Sequence, residues 1–358
     1  LPAALPPAGT VLIADEAHFA QNLSAQRTRA FLRLARHPRL RAIWLLTGTP
    51  MKNGRPAQLF PLLAAIGHPL AQDQRRYEEL FCQGHWREQG GVRVWQAQGA
   101  SRLEELRRLT RPLLLHRAKH DCLDLPPKHR HRIPVELEEA QGLGFQHRLQ
   151  ACVDDYRRRA AQGRVRRDAE ALAVLTALRR IASDHKLPAA TALLEHCLGQ
   201  EEPVVVFTAF VATAQRLAER LAGLRPAAAP ALLLTGRVPA PRRQEVVEHF
   251  QRGRSPVLIA TYGTGGLGFT LHRARHVVLI ERPWTPGDAE QAEDRCHRIG
   301  LRDPLHCHWL QLGVADQLVD GLIESKAERI ALLLQGRERQ LRRQALPEMV
   351  RQLIEGWS

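Results

Sequence analysis

The sequence is poor in several things at once, and each shortage excludes something. No run of about 18 apolar residues occurs in its 358 residues, so no helical membrane span is expected. No basic-then-apolar leader opens the chain. The six cysteines (Cys82, Cys122, Cys152, Cys197, Cys296 and Cys307) show no Cys-x-x-Cys spacing, which fits free, mostly buried thiols in a reducing cytosol. His306-Cys307-His308 comes nearest to a metal cluster. Alternation along a strand would turn Cys307 away from both histidines and count against that reading. Lysine is scarce: five of the 52 basic residues, which leaves 47 arginines. None of the five follows a glycine, so a phosphate-cradling loop ending Gly-Lys-Thr is missing.

What is present begins with charge. A formal net charge of +15 points to a polyanionic partner. The skew toward arginine fits a GC-rich genome better than it fits selection for phosphate binding, so charge supports nucleic acid without settling it. The length suits two domains with some decoration. Leu1 stands where a start methionine would, and the chain opens close to an apolar strand; a piece of a longer protein is expected.

Two stretches read as α/β. In the first, the apolar run Val11–Ala14 ends in acids, a helix is expected over 24–36, and a second strand of buried type follows at Ala42–Leu46. Continuous apolar runs alternating with helices imply parallel strands covered on both faces. The second stretch alternates strands near Val204–Phe207, Leu232–Leu234, Val257–Ala260, His276–Ile280 and Leu305–Leu310 with helices, as in a doubly wound sheet. Residues 59–185 read as mostly helical, with a turn-rich joint at Leu125-Pro126-Pro127-Lys128. The Arg-rich stretch from Arg157 to Arg167 reads equally well as a solvated helix face or a DNA-facing one. Domain limits of 1–58, 59–185, 186–317 and a basic helical tail at 318–358 follow.

Four short motifs carry chemistry. Asp15-Glu16-Ala17-His18 leaves a strand at its carboxyl end, where α/β sheets collect ligands. One carboxylate can hold hydrated Mg²⁺ and the other can orient a water; the bland alternative is an acid-rich helix start. Thr47-Gly48-Thr49-Pro50 ends the next strand. Gly263-Thr264-Gly265-Gly266-Leu267-Gly268 allows close backbone approach to a ligand. Gln291, Arg295 and Arg298 are spaced to share one face of a helix, a positive fork suited to a transferring phosphoryl group. A surface ion-pair face would look similar.

In this order, Asp-Glu-Ala-His, Leu-Thr-Gly-Thr-Pro, the Gly-Gly-Leu-Gly loop and Gln-Ala-Glu-Asp-Arg-Cys-His-Arg-Ile-Gly resemble the motifs of SWI/SNF-type helicase-like ATPases of superfamily two. Arg117-Ala118-Lys119-His120-Asp121, Leu125-Pro126-Pro127-Lys128, Val204–Phe207 with Thr208, and Leu234-Thr235-Gly236 with Arg243 and Phe250 extend the resemblance from about Val11 to about Ile330. It implies an α/β fold of two RecA-like, P-loop NTPase-type parallel-sheet lobes, the first incomplete, with helical insertions between them. It implies ATP and Mg²⁺ as cofactors, double-stranded DNA as track, no membrane partner, and a place in the cytoplasm or, in a eukaryote, the nucleus.

Residue by residue, the resemblance makes Asp15 the water-mediated Mg²⁺ ligand and Glu16 the water-activating acid. His18 would bridge toward Thr47, Gly48 and Thr49. Gly266, Gly268 and Gln291 would lie at the nucleotide, and Arg295 and Arg298 would serve as arginine fingers. Thr208, Thr235, Arg243 and Gly265 would face DNA. The acids and the guanidiniums are expected to meet across a shared cleft. The family's Gly-Lys-Thr loop is absent, which truncation ahead of Asp15 would explain and which would leave this piece inactive alone. Leu301 follows Gly300 where the family has Gln, and Gly263 stands where Arg is common. A non-catalytic DNA-binding or assembly module of the same fold and an RNA helicase are the alternatives.

Overall fold

The computed structural model describes residues 7–89, 91–162, 167–224, 229–265 and 268–336. They fall into two units. The first holds the described residues of Leu1–His116, Thr285–Gly287 and Glu324–Arg342; the second holds those of Arg117–Trp284 and Asp288–Ile323.

In the first unit β1 (Thr10–Ala14) and β2 (Leu40–Leu45) run parallel, with Ile13 beside Trp44 and Ala14 beside Leu45. The helix Gln26–Ala35 connects them, and Leu32 and Ala35 pack with Ala65 against Ile43 and Leu45. A larger core gathers Met51, Leu59, Phe60, Leu63, Tyr77 and Phe81, with Leu333 from the helix Gly313–Gln335. Burial on both faces of these strands was the expectation, and the structure differs. Val11, Ile13, Trp44 and Leu46 are exposed, Trp44 at 59%, because the helical layer among the described residues lies on the other face only.

The six strands of the second unit are β5 (Lys128–Pro134), β6 (Val204–Thr208), β7 (Leu232–Leu234), β8 (Val257–Thr261), β9 (His276–Leu279) and β10 (Leu305–Gln311). They pair in parallel in the order β5-β10-β9-β6-β8-β7. Successive side chains point to opposite faces. Val204, Val206, Ile259 and Val278 therefore meet Leu175, Leu178, Ala190 and Leu194 of the helix Arg167–Gly199. Val205, Phe207, Leu258 and Val277 meet Phe250, Ala292, Cys296 and Leu301 on the other side. Here the continuous apolar runs do mark strands covered twice.

Residues 59–185 hold more than helices. They include a hairpin of β3 (His85–Gln89) and β4 (Val92–Gln96), in which Trp86 faces Trp95, and they include β5. Lys128-His-Arg-His-Arg carries no apolar alternation to announce a strand; partners on both of its faces hold it in the sheet, as described below. Of the basic stretch, Arg158 and Arg159 are exposed and pair with Asp155, while 163–166 lie outside the described residues, as does most of the expected tail, 337–358. Among the described residues no helix is long and apolar enough to cross a membrane.

The helix Arg167–Gly199 runs through Pro188, where the sequence suggests a break. Lys186, without exposed surface, bonds the carbonyls of Ile280 at 2.8 Å and Leu310 at 3.0 Å and pairs with Asp316 at 2.5 Å. These contacts fasten the helix to the sheet beside the proline. Replacing Lys186 by Met leaves the Asp316 charge and two carbonyls buried without their cation. Urea unfolding should then report a loss of about 3–5 kcal/mol, and a variant as stable as the parent would refute the assignment.

Candidate functional site

β1 delivers Asp15 and Glu16 at its carboxyl end, and the chain turns sharply there. Glu16 adopts a left-handed conformation, φ 49° and ψ 45°, which costs an L residue about 1–2 kcal/mol. Asp15 supports the turn by accepting the Glu16 backbone N–H at 2.8 Å, and Ala17 donates its N–H to the Leu46 carbonyl of the neighbouring strand. One Asp15 oxygen is thus engaged within the turn, while the residue itself is exposed and Glu16 keeps 44% of its side chain in solvent.

His18 is buried and joins the two strand exits. Its Nδ1 lies 3.1 Å from a Glu16 carboxylate oxygen and 3.3 Å from the Thr47 hydroxyl. The Thr47 hydroxyl accepts the Thr49 backbone N–H at 3.1 Å, and Gly48 sits at the open tip of the turn. Gln21 completes the link: its amide donates to the carbonyls of Thr49 at 2.9 Å and Pro50 at 2.7 Å. The sequence did not single out Gln21; a polar side chain just after the acidic motif was its one signal. The Thr49 hydroxyl is buried and has no hydrogen-bond partner among the described residues.

In the second unit the helix carrying Gln291 spans Pro286–Asp294 and ends before both arginines. The single helix face expected for Gln291, Arg295 and Arg298 is therefore not what the structure builds. The Arg295 carbonyl is taken by the Leu271 N–H at 2.7 Å and Cys296 is fully buried, so the chain turns into the core. Arg295 is 5% exposed. Arg298 donates to the Gly268 carbonyl at 3.3 Å and the Thr270 hydroxyl at 3.2 Å, which joins the last motif to the glycine loop. Gly268 has φ +82°, a conformation that favours glycine. Gly265 ends the short helix Tyr262–Gly265, and Gly266 lies outside the described residues. Burial raises the thiols of Cys296 and Cys307 well above the ordinary range, which makes them core groups rather than nucleophiles.

Thr208 and Thr235 are turned inward. The Thr208 hydroxyl, with no exposed surface, donates to Glu281 at 3.0 Å, and Thr235 accepts the Arg237 N–H at 3.3 Å. Arg243 is half-buried and donates to the Val238 carbonyl at 2.8 Å. Thr264 ties the two blocks together, donating to the Leu234 carbonyl at 2.6 Å.

The anchor of the arginine motif is a group that sequence reading missed. Glu293, with no exposed side chain, accepts from Arg130 through Nε at 2.9 Å and Nη2 at 2.6 Å, pairs with Lys128 at 3.1 Å, and accepts from Trp309 at 3.0 Å. Asp294 pairs with Lys119 and Lys128, both at 3.1 Å, and Lys119 also reaches the His297 carbonyl. Burial opposes the charge on Lys128, but Glu293 and Asp294 more than reverse it and hold the ammonium above its ordinary range. Arg130 is raised in the same way against burial, chiefly by Glu293.

A family model described as the SNF2-related domain matches residues 8–187, half of the chain. The chain belongs to the SNF2-related family. The helicase conserved C-terminal domain matches residues 186–300 of this SNF2-related chain. It is 30% identical to the DNA annealing helicase and endonuclease ZRANB3 of Bos taurus over 92% of its own length and 30% of the relative's. It is 26% identical to the putative ATP-dependent helicase/translocase YwqA of Bacillus subtilis (strain 168), over 87% of the chain and 34% of the relative. The chain thus spans about a third of the length of these curated relatives. Among solved structures, the Sulfolobus solfataricus SWI2/SNF2 ATPase core in complex with dsDNA aligns with a TM-score of 0.47 at 20% identity, over 90% of this chain and 68% of that one.

The donors at the β1 exit suit a hard divalent cation. They are the carboxylate oxygens of Asp15 and Glu16 at a solvent-open edge. The cationic groups around Glu293 suit structure instead, since each faces an acid. Glu293→Gln should weaken the hold on Lys128 and Arg130 and destabilise the second unit by about 3 kcal/mol or more. Thermal unfolding of the variant checks this, and an unchanged midpoint would show that β5 is held by something else.

Proposed function

We propose that this SNF2-related chain forms the motor part of an ATP-driven translocase that tracks along double-stranded DNA. The observation that carries the reading is the locked pair of strand exits, in which His18 joins Glu16 to Thr47 and Gln21 holds Thr49 and Pro50. Asp15 would hold hydrated Mg²⁺, and Glu16 would orient the attacking water. Mg²⁺ supplies charge neutralisation at the ATP phosphates. His18 carries a change at Glu16 to the Thr47-Gly48-Thr49 turn, and Gln291 and Gly268 flank the nucleotide. Arg298 and Arg295 provide positive charge for the transferring phosphoryl group, Arg298 by exchanging its bonds to Gly268 and Thr270 for phosphate oxygens.

The family match and the DNA-acting names of its relatives support duplex DNA as the track. The net charge of +15 supports a grip on phosphate rather than on sequence. Gly265, Thr235, Thr208 and Arg243 shape the loops that meet the backbone, the threonines from beneath. The cytosol, or the nucleus in a eukaryote, is where such a track is found.

The test is ATP hydrolysis by the whole protein with duplex DNA, single strands and RNA. Glu16→Gln should lower turnover by about 10²-fold or more, and Arg298→Ala by about 10³-fold, with duplex affinity kept. Wild-type turnover in both variants would sink the roles, and equal stimulation by RNA would sink the choice of track.

A further inference from the structure

Five imidazoles line one face of the six-stranded sheet at the entry ends of three adjacent strands. They are His129 and His131 on β5, His306 and His308 on β10, and His276 on β9. Neighbouring rings stand 5.2–5.5 Å apart between centroids, with planes within 26° of one another. Hydrogen bonds thread them. His276 Nε2 lies 2.6 Å from the Glu202 carboxylate, His276 Nδ1 lies 2.9 Å from His308 Nε2, and His131 Nε2 lies 3.3 Å from His306 Nδ1.

The proton positions follow from what each partner can do. A carboxylate only accepts, so His276 Nε2 carries the hydrogen; neutral His276 then accepts at Nδ1, and His308 donates from Nε2. The remaining His308 Nδ1 is a buried lone pair without a partner among the described residues. A second proton on His308 must sit there, desolvated, without an acceptor and beside other imidazoles. Among the described residues no group of three or more His, Cys, Asp or Glu side chains is arranged to hold a metal ion. Hydrogen-bonded imidazoles of this kind can take up and pass protons.

Other charges frame the array. Glu202 faces it from the turn before β6, and Arg275, paired with Asp303 at 2.8 Å, stands at the entry of β9. The opposite face of β5 carries Lys128 and Arg130 toward Glu293 and Asp294, with Glu290 and Cys307 near Arg130 and Arg132 near Asp320.

We propose that this histidine array is a proton-operated latch on the edge strand β5, closed while His306 and His308 are neutral and driven open when they charge in mildly acid solution. β5 pairs with β10 alone, so its hold depends on that pairing and on the side chains of its two faces. Burial, then His276, His131 and His306, push His308 down to about 4. Burial, then His276, His129 and His131, lower His306 as well, with Glu202 pulling the other way. A ring whose value is depressed in the closed state favours closure above its free value of 6.5 and loses that contribution as pH falls toward about 4. Opening also loosens Lys128 and Arg130 from Glu293, the anchor of the motif leading to Arg295 and Arg298. That consequence rests on the roles proposed above for the arginines; the strand release does not.

Hydrogen exchange of the β5 amides, corrected for intrinsic rates, reads the latch without reference to turnover. A failure here is therefore distinct from a failure of the motor reading. Between pH 7.5 and 5.5, protection of β5 should fall about tenfold from His308 alone, while β7, the opposite edge strand, keeps its protection. His308→Gln removes the buried ring that supplies this change and should flatten the dependence. Glu202→Gln removes the carboxylate that holds His306 up and should deepen the loss below the free value of 6.5. A pH-independent β5, or an identical profile in all three proteins, would overturn the latch. So would a uniform drop at every pH in both variants, which would mark a merely structural role.

Discussion

Burying the Glu293 carboxylate completely obliges four donor nitrogens from three side chains to converge on it. An unpaired charge in that position would cost several kcal/mol, far more than any one contact returns. The edge strand β5, the strand β10 and the helix Pro286–Asp294 must therefore arrive together for the second unit to be stable. The same logic with the sign reversed holds at Lys186, where a buried ammonium gathers a helix, two strand-end carbonyls and Asp316. Apolar burial makes the sheet, and these two charges determine which segments flank it.

The first unit solves a different problem, that of holding acids in solvent with defined geometry. A left-handed residue at a strand exit is unfavourable, and Glu16 persists there because Asp15, Ala17 and His18 each fix part of the turn. His18 is the part with two allegiances, since one ring nitrogen serves both Glu16 and Thr47. Glu16 and Thr47 thus share one bonding partner between the two turns.

Much of this was legible in the residues. The all-apolar runs near Val204, Val257 and His276 became central strands because nothing polar interrupts them and helices cover both faces. The order of the four motifs gave the family before any geometry. Three things were not legible, for stated reasons. β5 has no apolar alternation, because histidines and cations occupy both faces and find partners far away in sequence. The arginine motif leaves its helix at Asp294 because Leu271 captures the Arg295 carbonyl, a contact that helical spacing cannot reveal. The inward turn of Thr208 depends on Glu281, which lies 73 residues away. Local pattern finds what local forces decide, and long-range charge pairing is outside its reach.

The open face of β1 and β2 has a consequence for handling. Val11, Ile13, Trp44 and Leu46 present contiguous strand surface of the kind that draws molecules together in solution. What opposes such self-association is mutual repulsion from the net charge of +15. Added salt shortens the range of that repulsion to about 3 Å at 1 M while leaving apolar attraction in place. Raising ionic strength, the usual remedy for a basic protein that clings to polyanions, therefore removes the very force that keeps these molecules apart from one another.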